Sequence, residues 1–152
     1  MKWLLTFCLC GCFFTARGQT YGERAVAAVL MGEAWSEGIR GMTAVAEVIH
    51  ERAAEKDETP LQVVGTHRGR IHAFSCLNGT TIGQLIQKFS AKRAFLKALG
   101  IAEEVWEDSA QLPDLTHSAN HYTRTTERPY WARGKRPVAV IGHHAFYKLK
   151  HY

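Results

Sequence analysis

Val26, Val29 and Leu30 stand at i, i+3 and i+4, and the same spacing returns at Val45, Val48 and Ile49 after the short glycine-bearing stretch "WSEGIRG". Apolar residues at that spacing fall on one face of an α-helix. The first stripe predicts a helix over Glu23–Glu33. Gly38 and Gly41 interrupt the pattern, and a second helix is expected to run to about Ala54. So short a connection leaves the two helices packed as neighbours. Position i+7 of the first stripe is Glu33, a carboxylate where the dry face should continue.

The helical spacing recurs in "IGQLIQKF" at Ile82, Leu85, Ile86 and Phe89, and "AFLKALGIAEEVW" continues it with an interruption expected at Gly100. The last third changes character. "SANHYTRT" and "RPVAVIGHHAFYKL" are rich in β-formers and bounded by Pro129, Gly134, Pro137 and Gly142, which predicts short strands. The expected fold class is α+β, mainly helical, with a small antiparallel sheet near the C-terminus. No repeat or low-complexity segment divides the chain, and 152 residues suit one domain.

The beginning of the chain is set apart from that domain. Lys2 followed by "WLLTFCLCGCFF" has the charged start and short apolar middle of a secretory signal, too short to span a bilayer as a helix. Small residues at Ala16 and Gly18 place cleavage before Gln19, giving a signal at residues 1–18 and a mature domain at 19–152. The rival is a lipobox reading of "LCGC", in which Cys12 becomes a lipidated N-terminus; on either reading the protein is exported. Cys8, Cys10 and Cys12 leave with the signal, so Cys76 has no internal disulfide partner and reads as a small buried apolar residue. Losing Lys2 and Arg17 takes the formal charge from +5 to +3. The remaining lysines and arginines are scattered, which argues against nucleic acid and leaves an anionic wall polymer as a fitting partner.

A carboxyl group ending an apolar stripe is partly desolvated, which disfavours its charged form, and a helix C-terminus pushes the same way. Such an acid donates a proton near neutral pH, as glycosidic cleavage requires. The competing account is an ion pair of Glu33 with Arg24 or Arg52, and periodicity alone favours it. Glu37, in the glycine-bounded loop, and Glu47, off the second stripe, are expected to be solvated. Zinc is the other chemistry to weigh, because His117, His121, His143 and His144 fall in the strand-forming region. Neither HExxH nor a spaced cysteine pair occurs, and adjacent strand residues point to opposite faces, so no metal or other cofactor is expected.

The segments "ERAVAAVLMGEAWSEGIRGMTAVAEVIHERA", "AFSCLNG", "HSANHY" and "VIGHHAFYK", in this order, resemble the successive motifs of the cell wall hydrolases related to the spore cortex-lytic enzyme SleB and to CwlJ. The resemblance runs from Glu23 to Lys148 and implies a lysozyme-like catalytic domain. Its substrate would be the peptidoglycan glycan strand, cut between N-acetylmuramic acid and N-acetylglucosamine. In the SleB branch the reaction is similar to that of lytic transglycosylases, with an anhydro-muramic product. The "GEA" glutamate corresponds to Glu33, the general acid, which can then act as base on the muramic C6 hydroxyl without a second carboxylate. Asp114 aligns with a family aspartate and reads as a turn or cap.

The family's "F[S/T]" element falls on Phe74 and Ser75. Ser75 would bond Glu33, a sugar substituent or its own backbone. Ala73 stands where relatives often carry glutamine, so that contact is absent. Asn78 would shape the loop or reach the sugar. Tyr122 matches the aromatic that lines the family's groove, with packing into the core as its alternative. Trp35 and Trp131 are further groove residues because aromatic faces suit pyranose rings. His144 matches the histidine of "IGxHxF" and would brace the site by hydrogen bonding, with Gly142 as turn and Phe146 as core. The expected partner is the glycan strand and the expected state a monomer. A water-using muramidase, an N-acetylmuramoyl-L-alanine amidase and a non-catalytic wall-binding module remain alternatives.

Overall fold

The computed structural model describes residues 18–107 and 112–150. The expected signal, with Cys8, Cys10 and Cys12, lies outside the described residues except for Gly18. Helix α1 is Tyr21–Ala34, α2 Gly38–Lys56, α3 Pro60–Gly65, α4 Ile82–Phe89 and α5 Arg93–Trp106. Two helix starts depart from the expected pattern. α2 begins at Gly38, and Gly41 lies inside it at a position where a Cβ would stand 2.4 Å from Glu37 Cβ and only hydrogen fits. α3 opens on Pro60 at a position whose N–H needs no helical partner. Gly100 causes no break: α5 runs through it, its apolar stripe outweighing the propensity cost of about 1 kcal/mol for one glycine.

Three helices open with the same reciprocal cap. Thr20 Oγ1 accepts from Glu23 N while Glu23 Oε2 accepts from Thr20 N, and Thr59 with Gln62 and Thr81 with Gln84 repeat the arrangement. Each cap satisfies backbone donors that a helix start leaves without partners. Removing the α4 cap by Thr81→Ala should lower the unfolding free energy by about 1 kcal/mol, read as a lower urea midpoint at unchanged slope.

α1 is the centre of the helical layer, packed by α2, α3, α4 and α5. Its apolar surface is wider than the expected stripe: Ala25, Ala27 and Ala28 are as fully buried as Val26, Val29 and Leu30. Short side chains there let neighbouring helices approach from several sides. At Gly22 the approach is closest, where a Cβ would meet the Trp106 ring at 2.4 Å.

The sheet comprises β3 His121–Arg124, β4 Ala139–Ile141 and β5 His144–Tyr147, all antiparallel in the order β3-β5-β4. An unforeseen hairpin precedes it, β1 His67–Arg68 with β2 Ile71–His72. Strand alternation divides the sheet side chains. Ile141, Phe146 and Tyr122 pack toward Ala44 and Val48 of α2, whereas Ala145 and Tyr147 pack with Ala132 and Trp131 on the other face.

Two buried polar residues tie the sheet region to α2. Fully buried Asn120 donates through Nδ2 to Glu55 and to Leu149 O, accepts from Leu149 N, and its own carbonyl accepts from Arg52 Nε at 2.7 Å. Glu47 accepts from Leu115 N at 2.9 Å, Thr116 N at 2.8 Å and Thr116 Oγ1 at 2.7 Å. Glu47 is therefore buried rather than solvated. A loop distant in sequence supplies donors that its own helix pattern does not reveal.

Candidate active site

Glu33 occupies the last turn of α1, half-buried, with its carboxylate turned toward the start of the 3-10 turn Ser75–Leu77. Gly32 makes this approach feasible: a Cβ there would lie 2.7 Å from Cys76 Cβ. With that space open, Cys76 N donates to Glu33 Oε1 at 2.7 Å and Ser75 Oγ donates to the same oxygen at 3.1 Å. Tyr122 OH, from β3, donates to Oε2 at 2.8 Å. A carboxylate with three donors is held in one orientation, unlike a surface glutamate that samples many rotamers.

Burial, followed by the neighbouring Glu33 charge, pushes the Tyr122 phenol well above its ordinary range. Tyr122 therefore stays protonated and serves as donor. Its ring is fixed by Phe74, Phe146 and a T-shaped contact with His144, at centroid distances of 6.5, 5.8 and 5.2 Å. The Cys76 thiol is pushed far above its usual value by burial and by Glu33, which makes it a poor nucleophile.

His144 is buried, and its Nδ1 lies 3.0 Å from Glu37 Oε1, close enough for charge contact but not aligned as a hydrogen bond. Its bracing contact with the site is thus the ring packing on Tyr122. Glu37 Oε1 also accepts from His143 N at 2.9 Å, joining the α1–α2 junction to the β4–β5 turn. The Glu37 side chain is only 6% exposed, so its expected solvation is overturned. Gly142 explains how it fits. At φ +56° this residue has the left-handed backbone that favours glycine, and a Cβ on it would stand 2.6 Å from Glu37 Cδ.

Glu33, Arg52, Ala73, Ser75, Tyr122, Arg124, Glu127 and His144 line a pocket of about 160 Å³. Arg52 has its guanidinium over the Phe74 ring at 5.3 Å. Arg24, the other proposed ion-pair partner, is exposed in the first turn of α1, about 13 Å along the helix axis from Glu33. Arg124 and Glu127 escaped the sequence reading. They sit in "TRTTERP", whose charges look like a solvated turn; Glu127 Oε2 accepts from Thr123 Oγ1 at 3.0 Å and Glu127 N donates to Arg124 O.

The remaining candidate residues separate. Asn78 Oδ1 accepts from His72 N at 3.0 Å, so it shapes the loop that carries Ser75. Asp114 Oδ1 accepts from Ser118 N, as a turn residue does. Trp35 follows Glu33 by two residues and is 49% exposed, with Lys92 Nζ 4.7 Å from its ring centroid. Trp131 is not part of the Glu33 pocket. It packs beside His121 and Tyr147 on the opposite sheet face and lines a separate cavity, because the proline-bounded 3-10 turn carrying it crosses that face. The histidines are likewise dispersed, and among the described residues no group of three or more His, Cys, Asp or Glu side chains is placed to hold a metal ion.

A family model described as Cell Wall Hydrolase matches residues 36–147, about three quarters of the chain. The matched stretch includes Ser75, Tyr122 and His144 and begins three residues after Glu33. No curated protein and no solved structure matches the chain.

Proposed function

Since the chain belongs to the cell wall hydrolase family, acting on wall peptidoglycan, we propose that it cleaves the glycan strand between N-acetylmuramic acid and N-acetylglucosamine as a lytic transglycosylase. The observation that carries this reading is the seating of Glu33 on Cys76 N, Ser75 Oγ and Tyr122 OH at the edge of a pocket. Glu33 as the acid gives its proton to the bridging oxygen while the C1–O bond breaks. The carboxylate left behind is stabilised by the same three donors, which are already oriented when charge develops. It then takes the proton of the muramic C6 hydroxyl as that oxygen bonds to C1. The product is a 1,6-anhydro ring, and no water is consumed.

Trp35, exposed two residues after Glu33, offers the ring face away from Lys92 to a neighbouring sugar, while Arg52 and Arg124 line the pocket and offer N–H donors to the lactyl and acetamido carbonyls of the muramic residue. Export through the segment at residues 1–18 belongs to the same proposal, because the substrate lies outside the cytoplasm. Among the described residues no helix is long and apolar enough to cross a membrane.

One observation favours a second reading. Glu127 lines the same pocket as Glu33, and a second carboxylate can activate water as in ordinary glycosidases. Mass spectrometry of digested peptidoglycan separates the two. The transglycosylase produces muropeptides lighter by one water than the reducing products of a muramidase, and Glu127→Gln should retain them at near wild-type rate. Reducing products, lost in Glu127→Gln, would establish the water-using reaction instead. Freed stem peptides would point to an amidase and overturn both.

A further inference from the structure

A second cavity lies away from Glu33, at about 750 Å³ against about 160 Å³ for the cleavage pocket. It is lined by His121, Tyr130, Trp131, Lys135, Lys148 and Lys150, together with Leu149. Successive residues of β3 project to opposite faces, so Tyr122 meets Glu33 while His121 turns to this cavity. The sheet therefore separates the two sites.

We propose that this second cavity binds the carboxylates of peptidoglycan stem peptides and holds the protein on its polymer independently of cleavage. The inference rests on the wall-substrate reading above. All three lysines are exposed, and no carboxylate is among the described residues lining the cavity. Lys148 also acts electrostatically on Glu51 of α2, so its charge is shared between that side chain and the cavity. The wall is preformed: the Trp131 ring packs edge-on to Tyr147 at 5.5 Å and against His121 at 5.0 Å. Tyr130, 82% exposed, stands beside it. Burial and the charges of Arg52 and Lys56 lower the His121 pKa to about 4, so the imidazole is neutral near pH 7 and the cationic character comes from the lysines.

A ligand suited to this wall carries several anionic groups on a scaffold with apolar faces. Stem peptides provide closely spaced carboxylates beside methyl groups and sugars, which ammonium groups and fixed aromatic rings can meet together. A polyphosphate offers the charges without the apolar partner.

The test uses the full chain carrying Glu33→Gln, so that bound wall is not cut, sedimented with purified sacculi. Adding Lys135→Gln, Lys148→Gln and Lys150→Gln should weaken binding about tenfold at low salt, the size expected for three exposed ion pairs. The difference should shrink at about 0.5 M salt as the charges are screened. To glycan strands freed of their stems by an amidase and immobilised on beads, the parent should bind as weakly as the triple variant. Unchanged binding by the triple variant, or a lysine-dependent difference persisting on stripped glycan, overturns the proposal. Stronger lysine-dependent binding to inorganic polyphosphate than to sacculi overturns it in favour of a phosphate polymer. With Glu33 intact, the triple variant should degrade a short stem-free glycan at the parent rate and melt at the same temperature; a loss of either would assign the lysines to cleavage or folding. Lysine-dependent binding by a protein that releases nothing from sacculi would leave this inference standing while removing the cleavage reading.

Discussion

Glu33→Gln should lower the release of soluble muropeptides from peptidoglycan by about 10²–10⁴-fold, the range contributed by a positioned general acid. The substitution keeps the size of the side chain and one carbonyl oxygen for Cys76 N, while Tyr122 OH can rotate to accept from the new amide. The fold should consequently be preserved, with an unchanged far-ultraviolet spectrum and a melting temperature close to the parent's. Tyr122→Phe is the companion measurement. It leaves the acid in place and deletes one of its donors, the 2.8 Å bond to Oε2, so a partial loss of about tenfold in kcat is expected with little change in KM. Full activity in Glu33→Gln would transfer the acid role elsewhere in the pocket, where Glu127 is the remaining carboxylate among the described lining residues.

Glu47→Ala should produce the largest loss of stability, about 3–5 kcal/mol. Three donors, Leu115 N, Thr116 N and Thr116 Oγ1, converge on a carboxylate that is 9% exposed. Alanine leaves all three unsatisfied near the core, at about 1–3 kcal/mol for each that water cannot reach. The melting temperature should fall by at least about 10 °C for a domain of this size. Glu47→Gln retains one acceptor oxygen and should lose roughly half as much, which keeps the comparison measurable if the alanine variant does not fold. Equal, small effects in both variants would mean that the Leu115–Thr116 loop finds other acceptors.

These two glutamates show how differently one sequence exposes its chemistry. The stripe of Val26, Val29 and Leu30 pointed to Glu33 because i+7 on a helix is the same face, a relation contained within α1 itself. The spacing of Ile82, Leu85, Ile86 and Phe89 gave α4 in the same way, and the β-formers around His121 and Phe146 gave the sheet. The spacings Thr20-x-x-Glu23, Thr59-x-x-Gln62 and Thr81-x-x-Gln84 are further local signals that the apolar stripes do not use, and the second of them would have marked α3. Glu47 lies off the face of its own stripe, and its donors stand 68 and 69 positions away. Its burial was illegible for that reason.

The same distinction separates the glycines. Gly38, Gly41 and Gly100 interrupt the local pattern, but each lies within a helix as observed. Local propensity penalises glycine modestly, and tertiary contact decides the outcome. Gly41 and Gly142 instead make room for the Glu37 side chain, which joins the helical layer to the β4–β5 turn. Trp131 illustrates the converse case. Its aromatic chemistry suited a sugar groove, but the face it occupies depends on where the turn at residues 130–132 crosses the sheet.

Apart from α3 and the β1–β2 hairpin, most elements are legible in the periodicity along the chain: helices first, a small antiparallel sheet last, and an acid at the end of the first apolar helix. Short-range periodicity encodes those features, because the residues responsible are neighbours along one helix or strand. What surrounds that acid is set by packing between distant segments. The three donors to Glu33 come from residues 42, 43 and 89 positions along the chain, and Arg124 and Glu127 enter its pocket from the turn after β3. Hydrogen bonds reach only about 3 Å, so their partners are set by which backbones pack together. Packing at Gly32 and on the Tyr122 ring makes that choice.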